Sequence, residues 1–470
     1  MAALRASLGT ERYLEERDEL WNKERTVSTR AKQVLHADLL DPEYCSWVRF
    51  LEQSEAWNSE EIESYQLEQL KKIVRHAYEN TAGYRYAFDA AGFKPDSFSR
   101  LEDIKRLPFI MKEDIRDNLE DFSAPWPGRT YVTTGGSTGI PFGFYRDKMA
   151  FSRELASKAH QYHRVGWREG DRQLVLRGLP IETPDHSEYV SQFEELRCSS
   201  YYLTEPQMDL YYRKALEYEP EWLRCYPSSG YLFALHLKER GWRIPSLKGV
   251  LCASENLYDF QRAVLQEVFG KNVYSHYGHY ELAVLAGFCE HEPTYHVLPQ
   301  YGFAELVDSD GQRVSAPGAV GEIVATSFLM YATPFIRYRT RDFAVLRGFG
   351  CGTCGRPYQV WERIEGRLQE FVVTKTGRLI SMTAINMHDR TFDGVRQFQF
   401  HQTEKGKITL RYIPNALFDM RSLETMRQHL MVKLGSDMEL TLEKVDTIAL
   451  TRRGKHRFLI QDLQLGYGDV

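Results

Sequence analysis

Residues 134–139, TGGSTG, lie between a β-branched run at 130–134 and an aromatic stretch beyond Pro141. Such a segment offers hydroxyls and a row of backbone N–H groups, the donors a phosphate needs. No Gly-Lys-Ser/Thr follows the glycines, so this is not a Walker A loop, and a plain turn between two strands has the same composition. Four further stretches carry groups that could do chemistry. In YSHYGHYE (274–281), Tyr277 and Gly278 precede Glu281, an aromatic plane near a carboxylate. RYRTRD (337–342) surrounds Asp342 with arginines, RIEGRLQEF spans 363–371, and LTRRGKHRF (450–458) presents Lys455 after Gly454 in a basic turn. Taken singly, each has an ordinary reading as core aromatic, ion-pair partner or solvated lysine. Their joint occurrence in this order argues for more.

A second constellation is metal-binding in type. CEH (289–291) and CGTCGR (351–356) together offer Cys289, His291, Cys351 and Cys354. Three thiolates and one imidazole suit a tetrahedral Zn²⁺, and four protein ligands leave no open position, so the expected role is structural. His296 is the alternative nitrogen donor. A redox-inert C-x-x-C loop with an unrelated Cys289 is the competing reading. Cys45, Cys198, Cys225 and Cys252 read as small buried apolar residues.

These groups need elements to hold them. Residues 1 to about 125 read as helical; SEEIESYQLEQLKKIVRHAYEN places Ile62, Leu67, Leu70, Ile73 and Val74 on one face. A further helix is expected from about Lys112, beyond the break at Pro108. Between 130 and about 345, the strand-like runs TYVTT, RQLVLRG, LKGVLCAS, KNVYSHYG and GEIVATSF alternate with helical patterns, which predicts a layered α/β domain. The texture changes near 365. EFVVTKTGRLIS and RQFQFHQTEKGKITLRYI predict hairpins, and SLETMRQHLMVKLG a helix with a Ser cap and a terminal Gly. The expected organisation is a large N-terminal α/β domain over 1–368 and a small α+β domain over 369–470.

Composition bounds the possibilities. The 470 residues are 43% hydrophobic and 27% charged with a net charge of −5, which gives no basic excess for nucleic acid. The longest apolar runs fall well short of the ~20 residues a bilayer span needs. The start of the chain is charged, without the apolar core of an export signal, and the seven cysteines fit reduced thiols. A cytoplasmic protein with no membrane or nucleic-acid partner is expected, as monomer or homodimer.

In order and spacing, the motifs resemble those of the adenylate-forming superfamily of acyl-CoA synthetases, adenylation domains and luciferases. Within it they are most similar to phenylacetate–CoA ligases and related capsule-biosynthesis proteins. The likeness runs from LPFIMKEDIRDN through TGGSTG, YGHYE, RYRTRD and EGRLQEF to TRRGKHRF. The resemblance implies an ATP- and Mg²⁺-dependent enzyme that converts a carboxylic acid to an acyl-adenylate and passes the acyl group to coenzyme A. It implies that Thr134, Gly136, Ser137, Thr138 and Gly139 close over the β- and γ-phosphates. Ser254 and Glu255, in CASEN (252–256), would border the adenine, Tyr277 and Gly278 would lie against its ring, and Glu281 would hold Mg²⁺. Asp342 would accept the ribose hydroxyls, Arg367 would face the nucleotide, Gln369 would be the hinge, and Lys455 would serve the developing charge at the α-phosphorus. Ser228, Ser229 and Gly230 would line the acyl pocket, although the stretch also reads as a helix start with a Ser/Thr cap. Some members of this branch carry a comparable cysteine–histidine cluster. Two departures stand out. Phe142 occupies the place after the loop proline where many members have lysine, and Gly135 replaces a usual hydroxyl residue. An amine acceptor, giving an amide ligase, and a nucleotide-binding homologue without catalysis are the alternatives.

Overall fold

The structure, a computed structural model, describes residues 42–134, 142–179, 181–367, 370–382, 385, 391–392, 394–451, 455–463 and 465. The chain enters through helices α1 (Pro42–Ser54), α2 (Ser59–Asn80), α3 (Ala82–Ala90) and α4 (Lys112–Asp117). Helix α2 starts at a reciprocal cap: the Glu61 N–H donates to Asn58 Oδ1 at 3.0 Å and the Asn58 N–H to Glu61 Oε2 at 2.8 Å. Its buried face carries Ile62, Leu70, Ile73 and Val74, with Leu67 half-buried against the same core. Strands β1 (Thr130–Thr134) and β2 (Phe142–Arg146) pair antiparallel with Thr134 opposite Phe142. Gly136, Ser137, Thr138 and Gly139 lie between them, outside the described residues, as does Gln369.

The alternation that follows is α5 (Lys148–Arg164), β3 (Gln173–Arg177), β4 (Ser187–Val190), β5 (Glu195–Ser199), α6 (Glu205–Tyr218), β6 (Trp222–Cys225), α7 (Pro227–Arg240), β7 (Gly249–Ala253), α8 (Asp259–Phe269) and β8 (Val273–Gly278). Six more strands complete the main sheet: β9 (Leu285–Phe288), β10 (Tyr295–Val297), β11 (Gly302–Val307), β12 (Val320–Ser327), β13 (Tyr338–Phe349) and β14 (Gln359–Arg367). The twelve strands are ordered β11-β12-β13-β14-β10-β9-β8-β7-β6-β3-β5-β4. Neighbours are parallel from β8 through β7, β6 and β3 to β5, and antiparallel from β8 through β9 to β11. The helical crossovers α6, α7 and α8 allow the parallel pairing and cover one face, and α5 covers the other, which favours continuous apolar runs. One face buries Leu174, Leu176, Leu223, Val250 and Val273 with residues of α6, α7 and α8. On the other, Tyr162 of α5 packs with Trp222 and Leu251. Alternation along β3 turns Val175 and Arg177 to the side opposite Leu174 and Leu176.

Beyond β14 come β15 (Phe371–Val373), β16 (Leu379–Ser381), β17 (Val395–Glu404), β18 (Lys407–Pro414), α9 (Met420–Leu434), β19 (Glu439–Lys444) and β20 (Leu459–Gln461). Both expected hairpins are present, β15–β16 and β17–β18. The second sheet has the order β19-β18-β17-β20. Its core gathers Phe398, Phe400, Ile408 and Leu410 with Met426, Leu430 and Leu434 of α9. The cap of α9 differs from expectation. Asp419 is the cap, accepting from the Ser422 N–H at 2.7 Å; Ser422 sits three residues inside. An ionised carboxylate offers acceptors only and complements the positive helix start better than a hydroxyl. This core is continued by Tyr258 and Phe260 from the first part of the chain, whose rings meet Phe458 at 5.4 and 5.5 Å.

Candidate active site

The C-terminal ends of the parallel strands lie along one edge of the sheet, the edge at which open α/β sheets hold ligands. Arg177 ends β3, Tyr226 follows β6, Ser254 and Glu255 follow β7, and Gly278 ends β8. Three non-glycine residues here have left-handed backbone: Ser254 (φ +71°), Leu282 beside Glu281 (φ +53°) and Arg341 beside Asp342 (φ +63°). Such strain persists only where surrounding structure enforces it, and it clusters at functional sites.

Ser228 donates both its N–H and its hydroxyl to Glu255, at 2.9 and 3.0 Å. Burial pushes the Glu255 carboxyl up, opposed by Lys455, these two hydrogen bonds and Arg177. The Ser229 hydroxyl donates to the Leu176 carbonyl at 2.8 Å, and Gly230 is buried in the first turn of α7. Tyr226 caps that helix without a side-chain bond, so no Ser/Thr cap forms. Ser228 also borders a small cavity closed by Phe398, His456 and Phe458.

The second group is set by strand register. Asp342 and Arg367 are direct partners across β13 and β14, and Arg367 Nε donates to Asp342 Oδ1 at 3.3 Å. The Tyr277 hydroxyl donates to the other oxygen at 2.7 Å. The neighbouring carboxylate of Asp342 holds the Arg367 guanidinium above its usual range. Glu281 meets His279 Nδ1 at 3.2 Å and accepts from the Tyr338 hydroxyl at 3.3 Å. Burial works to raise its carboxyl, but the His279 contact and the Arg367 charge prevail and hold it at about 2. Glu281 is therefore an anion at neutral pH, as a Mg²⁺ ligand must be.

Lys455 reaches this edge from the second sheet's side of the molecule. Its ammonium donates to the Ser254 carbonyl and lies 4.9 Å from the Tyr226 ring centroid. The next residue fixes the approach: the His456 N–H points to Ser228 Oγ at 3.4 Å, and His456 Nε2 bonds the Phe398 carbonyl at 2.8 Å. Thr134 closes β1 at the mouth of the undescribed loop.

Three residues at the site were not singled out from sequence. Arg177 bonds Ser254 Oγ at 2.7 Å. Lys112, half-buried at the start of α4, holds its ammonium 5.4 Å from the centroid of Phe142. Burial lowers its pKa while the charge of Glu281 supports it. Glu370, just past β14, has Oε2 buried without a hydrogen-bond partner among the described residues. Burial pushes this carboxyl up to about 7 against the pull of Arg367. Gly366 (φ +93°) makes the fit possible, because a Cβ there would come within 2.1 Å of Glu370 Oε2. A strand-end position in a parallel sheet could have flagged Arg177; nothing local marks Glu370.

The cysteine cluster forms, with a corrected nitrogen. Ligand atoms of Cys289, His296, Cys351 and Cys354 all lie within 4.8 Å of one another. His291 is not among them: it sits exposed on the turn between β9 and β10, 4.0 Å from Glu290. The hairpin register pairs His296 with Gly287, which returns His296 beside Cys289. His296 is buried, its Nε2 is without a partner among the described residues, and its Nδ1 lies 3.9 Å from Cys354 Sγ. Burial and the arginines Arg164 and Arg356 hold its pKa at about 4, so the ring is neutral and open to a metal. Three sulfurs and one imidazole nitrogen at this spacing fit tetrahedral Zn²⁺.

Residues 372–462 match the CapK C-terminal domain. The chain is 30% identical over 305 residues to phenylacetate-coenzyme A ligase of Aromatoleum evansii, covering 63% of this chain and 69% of the relative. It is 22% identical over 375 residues to Protein CapK of Staphylococcus aureus, covering 77% and 81%. Its fold matches a crystal structure of 2-hydroxyisobutyryl-CoA ligase in the postadenylation state with R3-HIB-AMP. The TM-score is 0.71 at 20% identity, covering 87% of this chain and 91% of the other. No described helix is long and apolar enough to cross a membrane.

Proposed function

The chain belongs to the phenylacetate–CoA ligase-like and CapK branch of the adenylate-forming enzymes, and we propose that it activates a carboxylic acid with ATP and transfers the acyl group to the thiol of coenzyme A. In the first half-reaction a substrate carboxylate oxygen bonds to the α-phosphorus, the bond from that phosphorus to the bridging oxygen breaks, and pyrophosphate leaves. In the second, the CoA sulfur bonds to the acyl carbon and AMP leaves. A bound Mg²⁺ would neutralise phosphate charge, with Glu281 as its carboxylate ligand.

One observation carries this reading. Tyr277 of β8, Asp342 of β13 and Arg367 of β14 meet on one sheet, Glu281 lies just past β8, and Lys455 meets the same sheet's edge at Ser254. The paired oxygens of Asp342 suit two ribose hydroxyls, and the ring of the partly buried Tyr277 suits stacking on adenine. A single ammonium at Lys455 suits the charge that grows on the α-phosphorus. Thr134, Gly136, Ser137, Thr138 and Gly139 take the β- and γ-phosphates in this proposal, with Lys112 near Phe142 as a further cation. Residues 369–470 act as a lid that turns about Gln369 between the two half-reactions.

The test is ATP–pyrophosphate exchange over a panel of carboxylic acids, followed by CoA or amines with each active acid. Exchange with at least one acid and thioester formation with CoA are expected. Amide without thioester would reassign the acceptor, and no exchange with any acid would refute adenylation. The cluster of Cys289, His296, Cys351 and Cys354 is proposed to hold a structural Zn²⁺. Elemental analysis should find one zinc per chain, and Cys351→Ser should lose it and lower Tm. A zinc-free protein of unchanged Tm would remove the metal from the proposal.

A further inference from the structure

Arg177 has no role in the nucleotide site proposed above, and it adjoins the stretch proposed to line the acyl pocket. Its guanidinium is 4.9 Å from the centroid of Tyr226, the ring on which Lys455 also rests at 4.9 Å. The Ser229 hydroxyl and the Tyr226 N–H both bond the carbonyl of Leu176, the residue before it, at 2.8 and 3.4 Å. Arg177 thus adjoins both the proposed acyl-pocket stretch and the proposed catalytic lysine. Its electrostatics are unlike those of its neighbours. Arg197 and Arg224, on adjacent strands, both pair with Glu195, at 2.7 and 3.2 Å. Arg177 has no carboxylate within 4.0 Å among the described residues, and one N–H is used by Ser254 Oγ. The surroundings are already positive: burial first, then Lys158, Arg177 and Arg224, drive the half-buried His276 well below its ordinary range. Two cations share one ring, and Glu255, the carboxylate whose charge they favour, is turned to Ser228 and pushed up by burial, so an added anion is stabilised beside them. The planar guanidinium fork, with donors to spare, matches a carboxylate.

We propose that Arg177 is a specificity-determining residue that binds a second oxyanion on the acyl substrate, so that the preferred acid is a dicarboxylic acid activated at the carboxyl nearer Lys455. The proposal rests on the adenylation reading. In the first half-reaction the distal carboxylate stays intact and anionic on Arg177 while the proximal one bonds to phosphorus.

Matched acids test it: adipate against hexanoate and 2-carboxyphenylacetate against phenylacetate, read by pyrophosphate exchange as kcat/KM. The wild-type protein should favour the diacid of a pair by about ten- to a hundredfold, the size of effect expected of a charge-assisted hydrogen-bonded pair at a partly exposed arginine. Arg177→Leu should collapse that ratio through the KM for the diacid, with the KM for ATP unchanged, and Arg177→Lys should restore part of it. Equal or better use of the monoacids by wild type, or a ratio untouched in Arg177→Leu, overturns the proposal while leaving adenylation intact. A rise in the KM for ATP with every acid also overturns it, by assigning Arg177 to the nucleotide. Exchange with no acid at all refutes adenylation and this assignment with it. Unchanged Tm in Arg177→Lys guards against a folding artefact.

Discussion

The proposed nucleotide side of the site and the lysine that meets it are held in different ways. Asp342 and Arg367 face each other because β13 and β14 are paired in that register, and Tyr277 reaches Asp342 from another strand of the same sheet. Lys455 has no such tie. It meets Ser254 because Phe398 and Phe458 dock on Tyr258 and Phe260, a contact of side chains rather than of a backbone ladder. Groups held by register keep their geometry as long as the sheet stands. A group held by docking can leave when the interface opens, at the cost of exposing the rings that meet there but with both backbone ladders kept. An enzyme with two successive half-reactions needs both kinds, a fixed nucleotide site and a cation that can withdraw.

The largest effect expected from this contrast is at the docked residue. Lys455→Ala should reduce acyl-adenylate formation by ~10²–10³, about 3–4 kcal/mol of transition-state stabilisation. Transfer from a preformed acyl-adenylate should fall much less, as single-turnover measurements of each half-reaction would show. Equal losses in both would mean that Lys455 does not withdraw. Asp342→Asn tests the register-held side. Losing charge-assisted bonds to the ribose should raise the KM for ATP roughly ten- to hundredfold, with the acid's KM little changed. A defect confined to the acid would place Asp342 elsewhere.

The remaining test is of stability rather than rate and lies at the junction, at Glu370. Its folded-state pKa, about 7, is raised above the ordinary carboxyl value, so the folded state binds the proton more tightly than the unfolded chain. Its contribution to stability is therefore fully present below the ordinary value of about 4.5 and lost as pH rises towards 7. Wild type should lose at most about 1.4 kcal/mol per pH unit relative to Glu370→Gln across that window. Urea unfolding of both proteins from pH 5 to 8 would show it, and parallel pH profiles would discount the carboxyl.

Much of this arrangement was legible beforehand. The alternation of apolar strands and helical patterns predicted the layered α/β fold, and the Gly-punctuated runs near 371 and 395 predicted both hairpins. Asp342, Tyr277 and Lys455 could be singled out because their motifs are local. Other features depended on partners distant in sequence. His291 matched the spacing of the cluster as well as His296 does, and only the β9–β10 register excluded it. Ser422 and Asp419 are both good capping types, and only the start of the helix chose between them. Arg177 and Glu370 are unremarkable letters until Tyr226, Ser254 and Gly366 are brought beside them.

The sequence by itself therefore determined the element types and the chemistry available, because hydrophobic period, turn residues and short motifs act over a few positions. The tertiary structure alone decided which of those groups meet. Strand register set the pairing of Asp342 with Arg367 and of His296 with the cysteines; the docking of Tyr258 and Phe260 on Phe398 and Phe458 set the place of Lys455. Both are long-range outcomes of burying apolar surface and pairing backbone groups, which no local stretch of residues encodes.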